Sequence, residues 1–126
     1  MKATVTIKKN SEFRRIYNKG ANAATSLLVL YARKGRPEQA GRLGITVGTK
    51  VGKAVVRNTV RRRLREIYRL NRDRLRPGFD VIIVARVRSR TVGYGDLERD
   101  FLKLADRLGL LFKDEKDTDP SGQGVS

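Results

Sequence analysis

The sequence predicts an α+β fold: a single-domain sandwich of one mixed sheet packed with helices, in the order α-β-β-(β)-α-β-α. Three observations carry this expectation. The chain has 126 residues, the size of one domain, and its 39% hydrophobic residues suffice for one modest core. Two long segments, Val55 to Leu75 and Asp96 to Leu111, place apolar residues at helical spacing. Between them Asp80–Arg86 is nearly all apolar, as expected of a buried central strand.

Along the chain, Asn10 is placed to cap a short helix over Ser11–Lys19, which Gly20 stops. Phe13, Ile16 and Tyr17 give that helix its apolar residues. Ser26–Lys34, centred on Leu27-Leu28-Val29-Leu30-Tyr31, is short, continuous and flanked by turn formers, so it reads as a strand. Gly35-Arg36-Pro37-Glu38 reads as a turn. Leu43–Thr49 alternates Leu43, Ile45 and Val47 with smaller residues and makes a second strand. The first long helix turns Val56, Val60, Leu64, Ile67 and Tyr68 to the core and ends at Pro77-Gly78. Val87–Gly95 is a polar, basic loop, and the last helix buries Leu97, Phe101, Leu104, Leu108 and Leu111. Lys113–Ser126, with Asp114, Glu115, Asp117 and Asp119, has too little apolar surface to order itself. The expected organisation is a folded domain at 1–112 and a disordered acidic tail at 113–126.

The formal net charge is +16, and the tail's two basic and four acidic residues leave +18 on residues 1–112. Such a charge opposes compaction and attracts polyanions, so nucleic acid is the first partner implied and an anionic membrane the second. The N-terminus lacks the apolar run of a secretory signal, and no stretch reaches the roughly 20 apolar residues of a spanning helix. A cytoplasmic location without a membrane partner is expected. The chain has no Cys and no His. That excludes thiol catalysis, disulfides, the usual zinc sites and the commonest general acid/base. Glu66, Asp73, Asp80 and Asp96 are scattered at no diagnostic spacing, so neither a catalytic residue nor a metal site is expected of the protein itself.

The charge concentrates between Arg57 and Arg76, where nine arginines face only Glu66 and Asp73. On a helix, Arg57, Arg61, Arg72, Arg65, Asn58, Arg69 and Arg62 span about 140° opposite the apolar set. A merely solvated face would mix signs at i, i+4. Here Arg57, Arg61, Arg65 and Arg69 repeat one sign, which destabilises the free helix by a few tenths of a kcal/mol per pair, roughly. A pattern with that cost asks for a polyanionic ligand.

Before this helix, Gly44-Ile45-Thr46-Val47-Gly48-Thr49-Lys50-Val51-Gly52-Lys53-Ala54 leads out of a strand. It serves either as a simple connection or as a phosphate site, with Lys50 and Lys53 beside the helix N-terminus. It lacks the Gly-Lys-Ser/Thr ending of a nucleotide-binding P-loop. Phe13, Tyr17 and Tyr31 read as core by periodicity, though each could stack a nucleobase beside arginine.

The run Thr49-Lys50-Val51-Gly52-Lys53-Ala54-Val55-Val56-Arg57-Asn58-Thr59-Val60-Arg61-Arg62-Arg63-Leu64-Arg65-Glu66 resembles the signature of the bacterial ribonuclease P protein subunit. That signature is an Arg-Asn-Arg helix after a Lys-x-Gly-Asn-Ala-Val-like turn. Ser11–Gly20, Leu28–Tyr31 and Asp80–Arg86 resemble the family's first helix, its first strand and the strand after the basic helix. Residues 5–112 or so are covered in order. Thr59 stands where the family has its second Arg, and Lys53 where Asn is usual.

The resemblance implies a ribosomal-S5-domain-2-like sandwich and a protein that binds a large catalytic RNA and the 5′ leader of precursor tRNA. The RNA, holding most of the Mg²⁺, would carry out the hydrolysis that matures the tRNA 5′ end, with no obligate protein partner. Carried over residue by residue, Lys50, Lys53, Arg57, Asn58, Arg61, Arg62, Arg65 and Arg69 would face the catalytic RNA. Phe13, Tyr17, Tyr31 and Arg86 would line the leader cleft. The main alternative is a ribosomal or rRNA-associated binding protein with the same charge logic. A DNA-binding protein would need a helix-turn-helix or zinc pattern that is not present. A protein nuclease would need acid/base or metal sets that are missing as well.

Overall fold

The computed structural model describes residues 5–35 and 41–112. The expected acidic tail and most of the Gly35–Glu38 turn lie outside them. The elements are β1 (Val5–Thr6), α1 (Asn10–Lys19), β2 (Ala21–Ala24), β3 (Leu28–Lys34), β4 (Arg42–Val47), α2 (Ala54–Leu70), β5 (Phe79–Ala85) and α3 (Tyr94–Arg107). The strands form one mixed sheet in the order β1-β4-β5-β3-β2. β5 is central, parallel to β4 and antiparallel to β3, with Ile83 opposite both Ile45 and Leu30. β1 adds parallel to β4 and β2 antiparallel to β3.

Strand alternation divides the side chains between two faces. Leu28, Leu30 and Ala32 of β3, Leu43 and Val47 of β4, and Val81, Ile83 and Ala85 of β5 meet α2 and α3 in the main core. There Val60, Leu64 and Ile67 of α2 and Leu97, Phe101 and Leu104 of α3 are almost wholly buried. The other face carries Ile82 of β5, which packs with Ile7 and with Ile16 of α1 in a second, smaller cluster. Arg42 of β4 ties that layer down. It donates to Asp80 at 3.1 and 2.8 Å and also bonds Glu12 of α1. The guanidinium beside Glu12 holds that carboxyl below its usual pKa, and the two carboxylates push the pKa of Arg42 up.

Several expected boundaries are corrected. Lys9, not Asn10, is the N-cap of α1, and it makes no side-chain cap bond. The strand expected from Ser26 starts at Leu28, because Thr25 turns the chain by accepting the Leu27 and Leu28 N–H groups, each at 3.2 Å. The second expected strand stops at Val47, before Thr49 enters a 3-10 turn. α2 ends at Leu70 rather than Leu75. Asn71 is buried and its amide donates to the Ile67 carbonyl (2.8 Å) and to Glu98 (2.9 Å), after which a 3-10 turn over Arg72–Arg74 leads away. α3 starts earlier, at Tyr94, and ends at Arg107, because Gly109 takes a positive φ of 72° that terminates the helix. Leu108 and Leu111 therefore pack from beyond the helix, and Leu110 becomes the buried residue there.

Candidate nucleic-acid interface

α2 sorts the expected arginine arc into two strips. Asn58, Arg62, Arg65 and Arg69 are exposed, whereas Arg57 and Arg61 are half-buried along the border with the core; Arg72, half-buried too, lies beyond the helix in the 3-10 turn and leaves the expected arc. The border position follows from Tyr68, whose buried ring projects between Arg57 and Arg61 around the helix. Arg57 donates to the Gly52 carbonyl (3.1 Å), and Arg61 donates to the Asn58 side chain (3.1 Å). Arg69 pairs with Glu66 at 2.6 and 3.0 Å, and the guanidinium holds that carboxyl below its usual pKa. Arg63, off the arc, instead donates to the Val92 carbonyl (3.1 Å) and helps hold α2 to the start of α3. Thr59 donates its hydroxyl along the helix to the Val55 carbonyl (3.0 Å).

The turn before α2 is a 3-10 segment over Thr49–Val51, followed by Gly52, where a Cβ would meet Val56 at 3.0 Å. Lys53 caps α2, and Lys50 and Lys53 are both exposed beside a first helical turn that holds no acidic residue. Parallel pairing of β4 and β5 brings their C-terminal ends to one edge of the sheet. The loop after β5, a 3-10 turn over Val87–Thr91, therefore packs against the turn before α2. Arg90 donates to the Val51 carbonyl (3.4 Å), and the buried Ser89 donates to the Arg86 carbonyl (2.6 Å). Arg86, Arg88 and Arg90 stand exposed at this edge, with Arg86 also donating to the Thr25 carbonyl (3.2 Å). Arg88 and Arg90 were not singled out from the sequence. The available signal was the charge of the Val87–Gly95 loop combined with the rule that ligands gather at the carboxyl ends of parallel strands.

Phe13, Tyr17 and Tyr31 converge on the opposite face of the sheet. Tyr17 meets Tyr31 edge-on with ring centroids 4.7 Å apart and meets Phe13 at 6.3 Å, and its hydroxyl pairs with Thr46 at 3.2 Å. All three are half-buried, packed on the small cluster without being enclosed by it. Neither a fully buried core nor isolated surface rings describes them. They form one continuous aromatic strip between α1 and β3, with Val84 beside them.

The molecule thus presents a cationic helix on one face, an aromatic strip on the other and a basic edge at the end of β4 and β5. The family model for ribonuclease P matches residues 1–109. The chain belongs to the ribonuclease P protein family. The ribonuclease P protein component of Clostridium acetobutylicum is 44% identical over 111 residues, spanning 87% of this chain and 93% of its own. That of Clostridioides difficile is 41% identical over 108 residues, spanning 85% and 94%. The structure of the Staphylococcus aureus RNase P protein matches with a TM-score of 0.77 at 29% identity, over 87% of this chain and 100% of that one. The Thermotoga maritima RNase P protein gives 0.72 at 29% identity, over 81% and 96%. The α+β sandwich expected from the sequence is the fold of this ribonuclease P family, and membership makes the chain a protein component of the holoenzyme.

Proposed function

We propose that this ribonuclease P protein grips the catalytic RNA with the cationic face of α2 and the edge bearing Lys50 and Lys53, and holds the 5′ leader of precursor tRNA on Phe13, Tyr17 and Tyr31, with Arg86 beside it. The observation that carries the reading is the separation of the two surfaces onto opposite faces of one five-stranded sheet. The α2 face offers forked donors suited to phosphate, and the aromatic strip offers rings on which unpaired bases can stack. The rival reading, an rRNA-associated binding protein, accounts for the arginines but assigns nothing to the half-buried rings.

Among the described residues no three His, Cys, Asp or Glu side chains come together as a metal site. The proposal assigns Mg²⁺ to the RNA subunit, whose phosphate oxygens are the hard ligands this ion prefers. Likewise, no described helix is long and apolar enough to cross a membrane.

Reconstitution tests the proposal. The protein is mixed with a bacterial ribonuclease P RNA and precursor tRNA at low Mg²⁺, and 5′ leader release is followed. Faster release than with RNA alone is expected. No stimulation would refute the reading, and release by the protein alone would make the protein itself the nuclease.

A further inference from the structure

A cavity of about 680 Å³ lies beneath the C-terminal end of α2, apart from the basic edge and the aromatic strip. Its lining includes the buried Tyr68 and Leu75. Leu70 and Phe112 also line it while standing 57% and 56% exposed. Arg69, Arg72 and Arg76 line it as well, with Asp73 the one carboxylate among the described residues. Phe112 is held in place by the backbone: its N–H donates to the Arg74 carbonyl (2.9 Å), Arg76 donates to Leu110 (2.6 Å), and Leu75 bridges Leu111.

Single exposed apolar side chains need no explanation. Two that converge on one cavity with three guanidinium groups, of which Arg69 is already paired with Glu66, suit a ligand with a flat apolar surface and an anionic end. Inorganic phosphate would leave the apolar wall unused, and an apolar peptide would leave the arginines unused. The chain's own segment 113–126 follows Phe112 in sequence and has four carboxylates, but Pro120 and Val125 are its only sizeable apolar residues. It carries no aromatic ring to stack on Phe112. A nucleotide satisfies both halves, and Asp73 offers an acceptor to an exocyclic amino group of its base.

We infer that this cavity binds one unstacked nucleotide of the RNA subunit, with its base against Phe112 and Leu70 and its phosphate on Arg72 and Arg76. The inference rests on the proposal that α2 faces RNA. It adds a second anchor about 25 Å along the helix from the Lys53 end, the length of 17 residues, and so fixes orientation as well as affinity.

The test titrates the full chain against a bacterial ribonuclease P RNA over a range of KCl. Phe112→Ala is expected to lower affinity roughly 5- to 50-fold with an unchanged salt slope, because stacking releases no counterions. Phe112→Trp should retain affinity, and Arg76→Ala should flatten the slope by about 0.7–0.9. Thermal melting confirms that the variants fold. Wild-type affinity in Phe112→Ala would overturn the inference. So would a gain in RNA affinity on deleting residues 113–126 that Phe112→Ala abolishes, since the acidic segment would then be the occupant. Arg62→Ala/Arg65→Ala, measured in parallel, separates the two claims: a full slope there refutes the α2 reading itself, whereas a reduced slope beside an unaffected Phe112→Ala refutes only the nucleotide site.

Discussion

Replacing Arg62 and Arg65 together by alanine probes the α2 face most cleanly. Both are exposed, and among the described residues neither has a carboxylate partner, whereas Arg69 is already matched to Glu66. Each phosphate neutralised contributes about 0.7–0.9 to the slope of log affinity against log salt. The double variant should therefore flatten the slope by about 1.4–1.8, a loss of roughly 25- to 60-fold in what a tenfold dilution of salt gains. Arg69→Ala should change it less, because its charge is partly spent on Glu66, and Glu66→Gln should steepen it. Removing Arg65 also deletes two like-charge i, i+4 contacts, with Arg61 and Arg69, so the free protein should melt slightly higher, by about 0.5 kcal/mol of stability. Fluorescence titration with ribonuclease P RNA at several KCl concentrations, paired with thermal melts, reads both effects. An unchanged slope in a folded double variant would show that RNA does not lie on this face.

Other perturbations address the opposite face. Tyr31→Ala should weaken leader-bearing precursor tRNA about tenfold, within the roughly 1–3 kcal/mol of one base stack, and leave mature tRNA unaffected; equal losses would mean that the ring only packs. Gly44→Ala would set a Cβ 2.7 Å from the Phe13 ring and 3.4 Å from Ile82. About 1–3 kcal/mol of stability and part of the leader affinity should go, with the salt slope for the RNA subunit intact. Arg42→Ala leaves Asp80, whose side chain is 13% exposed, without its bidentate partner and should cost about 2 kcal/mol in denaturant unfolding, less than a fully buried pair would. Because the pKa of Glu12 is lowered in the folded state, its contribution is complete above its ordinary value of 4.5 and disappears as pH falls through the lowered one. The stability gap between wild type and Glu12→Gln should thus be present at pH 7 and closed in strong acid.

Elements with strong periodicity were legible in the sequence, and those defined only by partners were not. Asp80–Arg86 announces β5 because a strand covered on both faces must be apolar throughout. β2 is Ala-Asn-Ala-Ala, which has no strand propensity of its own and exists because β3 offers it an edge. β1 is a two-residue addition to β4. The end of α2 was misplaced because Pro77-Gly78 is a conspicuous stop, while the actual one depends on Asn71 finding Glu98, 27 residues away. In the site, helical projection separated most of the arginines from the core, but buried Tyr68 projects between Arg57 and Arg61 and so draws that border of the arc into partial burial. The aromatic strip was legible only as three residues, because contact between Tyr17 and Tyr31 is a product of packing α1 on the sheet.

The unequal division of the core between the two faces has a dynamic consequence. α1 is moored by one buried side chain of its own, Ile16, together with the Arg42 bridge, while α2 and α3 share the large cluster. α1 should therefore detach as a separate cooperative unit, with its amides exchanging with deuterium well before those of β5 or α2. Phe13 and Tyr17 ride on that unit and Tyr31 stays with the rigid sheet. The leader would then lie between a fixed wall and a yielding one, a geometry that accommodates bases of different size without requiring a particular sequence.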